Sequence, residues 1–150
     1  MAKVFLDKIP ATEHIESVVS ETDKLPMGQW LSLGKLGDDG ESRVAAPATG
    51  EADAEVFLAD APISYGDPHF DLGTYTLEAG KTGRAFHLQK GDVISVTTDL
   101  VADGATVGDA LTIGDNGLGF KKAASGRGVA LLIGKENHGF DGDVFVIAIR

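Results

Sequence analysis

The chain has 150 residues, with 13 Lys and Arg against 23 Asp and Glu, a net charge of −10 and no cysteine. That length suits one domain or two very small ones, and such a chain can bury roughly two thirds of its unfolded surface. The charge repels phosphate backbones and argues against nucleic acid as a partner; the missing thiols exclude disulfides, thiol catalysis and cysteine-type zinc sites, as suits a protein made in a reducing cytosol.

Hydrophobic residues at 43% and charged residues at 24% are those of an ordinary globular chain. No apolar run approaches the roughly 20 residues needed to span a bilayer, and the opening MAKVFLDKIP lacks the apolar core of a signal peptide. Twenty glycines and five prolines cut the chain into short runs rich in Val, Ile, Leu, Thr and Phe. Short β-prone runs between turn residues predict an all-β protein, a compact barrel or sandwich.

The first run is Lys3 to Leu6, closed by Pro10; residues 1–12 read as an N-terminal arm or first strand, and 13–150 as the β domain. His14 to Glu21 reads as a strand or as one or two helical turns, since periodicity does not decide. Gln29 to Leu33 is a strand, followed by a hairpin turn at Asp39-Gly40 and a return at Ser42 to Ala46. Glu55 to Leu58 is another strand, and APISYGDPHFDLG (61–73) a longer excursion with two prolines. Alternation at Tyr75 and Leu77, and again at Phe86 and Leu88, predicts strand, turn, strand. Strands follow at Val93 to Thr97, Ala110 to Ile113, Leu118 to Lys122, Val129 to Ile133 and Val144 to Ile149.

The phrase MGQWLSLG (27–34) returns as VGDALTIG (107–114), eighty residues on. Each copy is followed by a Gly- and Asp-rich turn, a short strand, a small-residue loop and an apolar run, EVFLAD in one case and VALLIGKE in the other. This order reads as an internal duplication, with pseudo-repeats over about 1–80 and 81–150 and two similar β units packed about a pseudo-twofold axis. Accidental recurrence in a Gly-rich β chain is the competing reading. The expected core is Trp30, Leu31 or Leu33, Val56, Leu58, Phe86, Leu88, Val93, Leu111, Ile113, Val129, Leu131, Ile133, Val144, Val146 and Ile149, with the inward face of each strand left open by alternation alone.

Fragments that look like chemistry are weak. Ser32-x-x-Lys35 with Lys81-Thr82-Gly83, and Ser64 and Tyr65 between them, matches a penicillin-binding signature, but the serine falls in a strand pattern interrupted by Gly34. Of the four histidines, His14, His69, His87 and His138, His69 stands with Asp67 and Asp71 within five residues, in a stretch that reads as a turn. HGFDGD (138–143) lacks the acidic ladder of a calcium loop. The glycines do not lead from strand into helix as a phosphate loop requires. No enzyme, metal site or cofactor is expected.

Trp30, the lone tryptophan, is expected in the core. The apolar arm with Val4, Phe5, Leu6 and Ile9 suits addition to a neighbouring sheet edge, an ordinary first strand being the alternative. Tyr65 and Phe70, in the long excursion, complete the expected partner-binding set.

LEAGKTGRAFHLQKGDVISVT, ATVGDALTIGDNGLGFKKA and GKENHGFDGDVFVIAI, within residues 72–150, resemble the head decoration, or capsid cement, proteins of tailed bacteriophages. The resemblance implies an all-β, barrel-like or β-clip-like fold on the capsid exterior, without catalytic residues. It also implies the major capsid protein as partner, a host-cytoplasm origin, and self-association, a trimer being favoured over a dimer or monomer. The first half does not match the smallest members of that class. A virion module for carbohydrate or a host surface is the alternative, and neither nucleic acid nor membrane is an expected partner.

Overall fold

A computed structural model describes residues 3–9, 14–60 and 75–150. Its strands, in chain order, are β1 (Val4–Lys8), β2 (Ile15–Val19), β3 (Leu25–Pro26), β4 (Trp30–Leu36), β5 (Arg43–Pro47), β6 (Val56–Leu58) and β7 (Thr76–Leu77). The remainder are β8 (Thr82–Phe86), β9 (Val93–Thr97), β10 (Ala110–Ile113), β11 (Phe120–Lys122), β12 (Ala130–Asn137) and β13 (Asp143–Ile149). The protein is all-β; among the described residues helix is confined to single 3₁₀ turns such as Thr98–Leu100. Among the described residues no helix is long and apolar enough to cross a membrane.

Five strands close a barrel in the order β2-β5-β4-β6-β8, and six form a sheet in the order β1-β9-β13-β12-β10-β11. The two bodies share one pairing scheme. In the barrel β4 lies between β5 and β6, with Leu31 opposite Pro47 and Val56. In the sheet β10 lies between β11 and β12, with Leu111 opposite Lys122 and Ala130. Phe57 then faces Phe86 across β6 and β8, as Leu131 faces Ala148 across β12 and β13. Ile15 faces Phe86 and Val93 faces Ala148, so β2 and β9 correspond as well. The parallel pairing of β2 with β5 has its counterpart in the parallel bridge from Val101 to Phe120.

Single hydrogen bonds repeat too. Gly28 N–H donates to Leu58 C=O and Gly108 N–H to Leu132 C=O; Ala48 N–H donates to Trp30 C=O and Ala123 N–H to Ala110 C=O. Both glycines have positive φ, 84° and 101°, the region where a side chain is strained. MGQWLSLG and VGDALTIG therefore hold equivalent places in two units. β1 is an extra strand on the second.

Inward positions follow from the register. Val18, Leu31, Ala45, Val56, Leu58 and Ala85 of the first unit correspond to Val96, Leu111, Phe120, Ala130, Leu132 and Ile147 of the second, and all are buried. Where the first unit is short of volume, the β3–β7 ribbon supplies it: Leu25 and Leu77 belong to its core, and Leu77 lies where a Cβ on Gly83 would be 2.6 Å from it.

The units meet through faces that are not equivalent. Trp30, Phe57 and Phe86 on the outside of the barrel are buried in the larger core cluster, whereas their counterparts Ala110, Leu131 and Ala148 are half-buried. Trp30 and Phe57 reach Phe120 of the second unit, with ring centroids 5.8 and 5.9 Å away. The packing expected about a pseudo-twofold axis is thus replaced by a one-sided junction, because only one unit carries aromatic side chains on that face. Gly119 N–H donates to Gly28 C=O and Gln29 Nε2 to Asn116 C=O, tying the backbones together there.

Trp30, Leu31, Val56, Leu58, Phe86, Leu111, Ile113, Val144 and Ile149 are buried as expected. Leu33, Leu88 and Val129 are partly buried against the cores, and Val93, Leu131 and Val146 are half-buried. Ile133 is exposed. On β12 and β9 the inward face is instead Ala130 and Leu132, and Ile94 and Val96. Ile147 is inward because it pairs with Leu132 and shares the face of Ile149; a bulge between Leu132 and Gly134 shifts the β12–β13 register only beyond that pair. Within the stretch 14–21, open to two readings, Ile15–Val19 form the strand β2, because β5 and β8 pair with it on both sides.

Candidate functional site

Two surfaces present side chains beyond the needs of folding. The first is the outer edge of β1, which pairs with no strand among the described residues. Val4 pairs with Val96 and packs on the large core, as does Ile9. Phe5 meets the His138 ring edge-on with centroids 5.0 Å apart, and Lys3 Nζ is ion-paired to Asp141. β1 is therefore bound down as the first strand of its own chain, which leaves its outer edge and the 38% exposed Leu6 facing away. The 3₁₀ turn Gly139–Asp141 at the tip of the β12–β13 hairpin lies beside it and carries Phe140 at 96% exposure. Tyr65 and Phe70 lie outside the described residues.

The second surface is one end of the barrel. His14 precedes β2, Glu16 is two residues on, and His87 follows β8; the His87 N–H donates to the His14 carbonyl. Since Ile15 and Phe86 are paired, His14 and His87 are opposed across the two strands, and the period of two puts Glu16 on the face of His14. Glu16 Oε1 is 3.2 Å from His87 Nε2 and 3.5 Å from His14 Nε2, and the imidazole centroids are 4.6 Å apart. Arg43 Nη1 stands 3.8 Å from the same carboxylate oxygen, while its Nε donates to Gly34 C=O at 2.8 Å. The side chains of Glu16 and His87 are largely shielded, and that of His14 is open to solvent. The histidines were each visible in the sequence; their convergence depends on pairing between strands 71 residues apart. The alternation His14-x-Glu16 was the one local signal.

At the opposite end of β2 a cleft of about 280 Å³ is lined by Glu21, Lys35, Asp38, Asp39 and Thr82 among others. Asp39 accepts from Glu41 N–H and from the N–H and hydroxyl of Ser42, bonds that hold its carboxyl below the ordinary range. Ser32, in β4, does not line this cleft; its hydroxyl donates to Ala46 C=O in β5, so this serine is not set one helical turn from a lysine base. A smaller cleft of about 180 Å³ lies between the units beside Trp30, Leu88 and Arg150. Trp30 Nε1 is buried and has no acceptor among the described residues.

Asp67, His69, Asp71 and Ser64 fall outside the described residues. His138 pairs with Glu136 at 3.5 Å and with the Phe5 ring, in a turn where Gly142 has φ 77°. Tyr75 donates to Asp60 at 2.8 Å, and burial together with that carboxylate pushes its phenol pKa up. Comparison of the chain with protein-family models, curated proteins and solved structures gives no match.

Proposed function

We propose that this protein is a virion structural protein that binds the outer surface of an assembled phage capsid and stabilises it. The observation that carries the reading is the β1 edge with Phe140 beside it, a large aromatic side chain held almost wholly in water on a short, anchored turn. Folding gains nothing from that placement, whereas a partner with an apolar pocket does. The open edge offers backbone donors and acceptors to a strand of the major capsid protein, and many copies on one shell multiply a weak contact. Binding the assembled shell and not its free subunits stabilises the shell by mass action. The acidic surface keeps the free protein soluble until it docks.

The test is sedimentation of purified protein with undecorated capsids. Wild-type protein is expected to co-sediment saturably. Phe140→Asp and Leu6→Asp, both on exposed positions, are expected to weaken binding tenfold or more while leaving the circular dichroism spectrum unchanged. No co-sedimentation of the wild type, or equal binding by both variants, would overturn the proposal. In the rival reading as a glycan-binding module Trp30 plays no part, since it is buried.

A further inference from the structure

We infer that His14, Glu16 and His87 form a binding site for one divalent transition-metal ion of the zinc type. The inference is independent of the capsid reading. Two imidazoles and a carboxylate are a donor set suited to Zn²⁺ and its neighbours in the series. Ligands at about 2.0–2.1 Å from a tetrahedral ion lie roughly 3.3–3.4 Å from one another. The observed separations from Glu16 Oε1 to the two Nε2 atoms, 3.2 and 3.5 Å, are of that size, and all three donor atoms lie within 4.8 Å of one another. Little rearrangement is needed to place an ion among them. Both rings already turn Nε2 to the carboxylate, the orientation in which each would offer a lone pair.

At the equivalent end of the second unit, where buried Asp92 stands in the place of His14, the other two positions are apolar. The backbone bond from His87 N–H to His14 C=O has its counterpart from Ile149 N–H to Asp92 C=O, and Glu16 corresponds in register to Ile94. Ile94 and Ile149 are both buried and apolar. The first unit thus sets a carboxylate and an imidazole where its sister sets two isoleucines, on the inward face of a strand where a charge is expensive to keep. Three ligands on two paired strands, with His14 open to water, leave a fourth position for a solvent molecule. Arg43 also reaches the Glu16 carboxylate; it competes for it and sets the affinity below that of an uncontested site.

The experiment is isothermal titration of chelator-stripped full-length protein with ZnCl₂ at neutral pH, paired with thermal melts with and without the metal. The expected result is one ion per chain and a melting temperature raised by a few degrees. His14→Ala removes an exposed side chain with little consequence for folding, and is expected to weaken binding at least tenfold and abolish the thermal shift. Arg43→Gln is expected to tighten binding severalfold. His138→Ala, at a separate histidine–carboxylate pair, is expected to change neither. Absence of binding up to millimolar Zn²⁺, or the same affinity and stoichiometry in His14→Ala, would overturn the inference.

Discussion

The two units have one pairing scheme and two ways of making it rigid. In the first, loops are tied by carboxylates: Asp39 closes the β4–β5 turn, and Asp53 accepts from the N–H and hydroxyl of Thr49 and the N–H of Gly50 between β5 and β6. In the second, the corresponding loops rely on backbone geometry, with positive φ at Asn116, Gly117 and Gly119 and again at Gly126 and Gly128. The interiors differ likewise. Small Ala45 and Ala85 leave room for the β3–β7 ribbon in the first, while Phe120 and Ile147 occupy the same positions in the second. A strand order and a register therefore leave considerable freedom in how volume and turns are supplied, provided each interior ends up filled.

Removing Phe120 should break the comparison most severely, because this ring fills the second unit and also meets Trp30 and Phe57. Phe120→Ala is expected to lose about 3–5 kcal/mol by urea unfolding. The equivalent Gly28 and Gly108 sharpen it. Gly108→Ala meets no atom within 4 Å and should cost about 1–2 kcal/mol from its positive φ alone. Gly28→Ala brings a Cβ to 2.7 Å from Leu100 Cδ1 and should be clearly the more destabilising of the pair in the same assay. The smallest effect concerns acid. Hydrogen bonds from neighbouring backbone and hydroxyl groups hold the carboxyls of Asp39 and Asp53 below the ordinary 3.8. A lowered folded pKa stabilises above the unfolded value and is lost as the pH falls through the folded one. Thermal melts should therefore decline below about pH 4, and Asp39→Asn with Asp53→Asn should flatten that decline by a little, both groups being solvent-exposed.

Much of the fold was legible. Glycine punctuation between β-branched runs marked most strands within a residue or two, though it stopped short on β4 and β12, placed β8 too late and missed β3, and the repeated phrase located the equivalent strands β4 and β10. The inward faces of β9 and β12 were not, since alternation names two faces and leaves the choice to the partner strands. At the barrel end, three ionisable side chains from two distant segments carried no local mark except His14-x-Glu16. The arm at Val4, Phe5, Leu6 and Ile9 is apolar in sequence, but whether it joins its own sheet or a neighbour's depends on the edge that β9 presents.

Composition and spacing alone determined the acidic, thiol-free, all-β character of the chain and its recurrent plan, because turn residues and apolar periodicity act over a few neighbouring positions. Only the tertiary structure decided that the aromatic face of one unit would be buried on the other, that β1 would end as an open edge beside Phe140, and that two histidines would close on Glu16. These outcomes arise from pairing across long sequence separations, where the register of one strand sets what the next one faces.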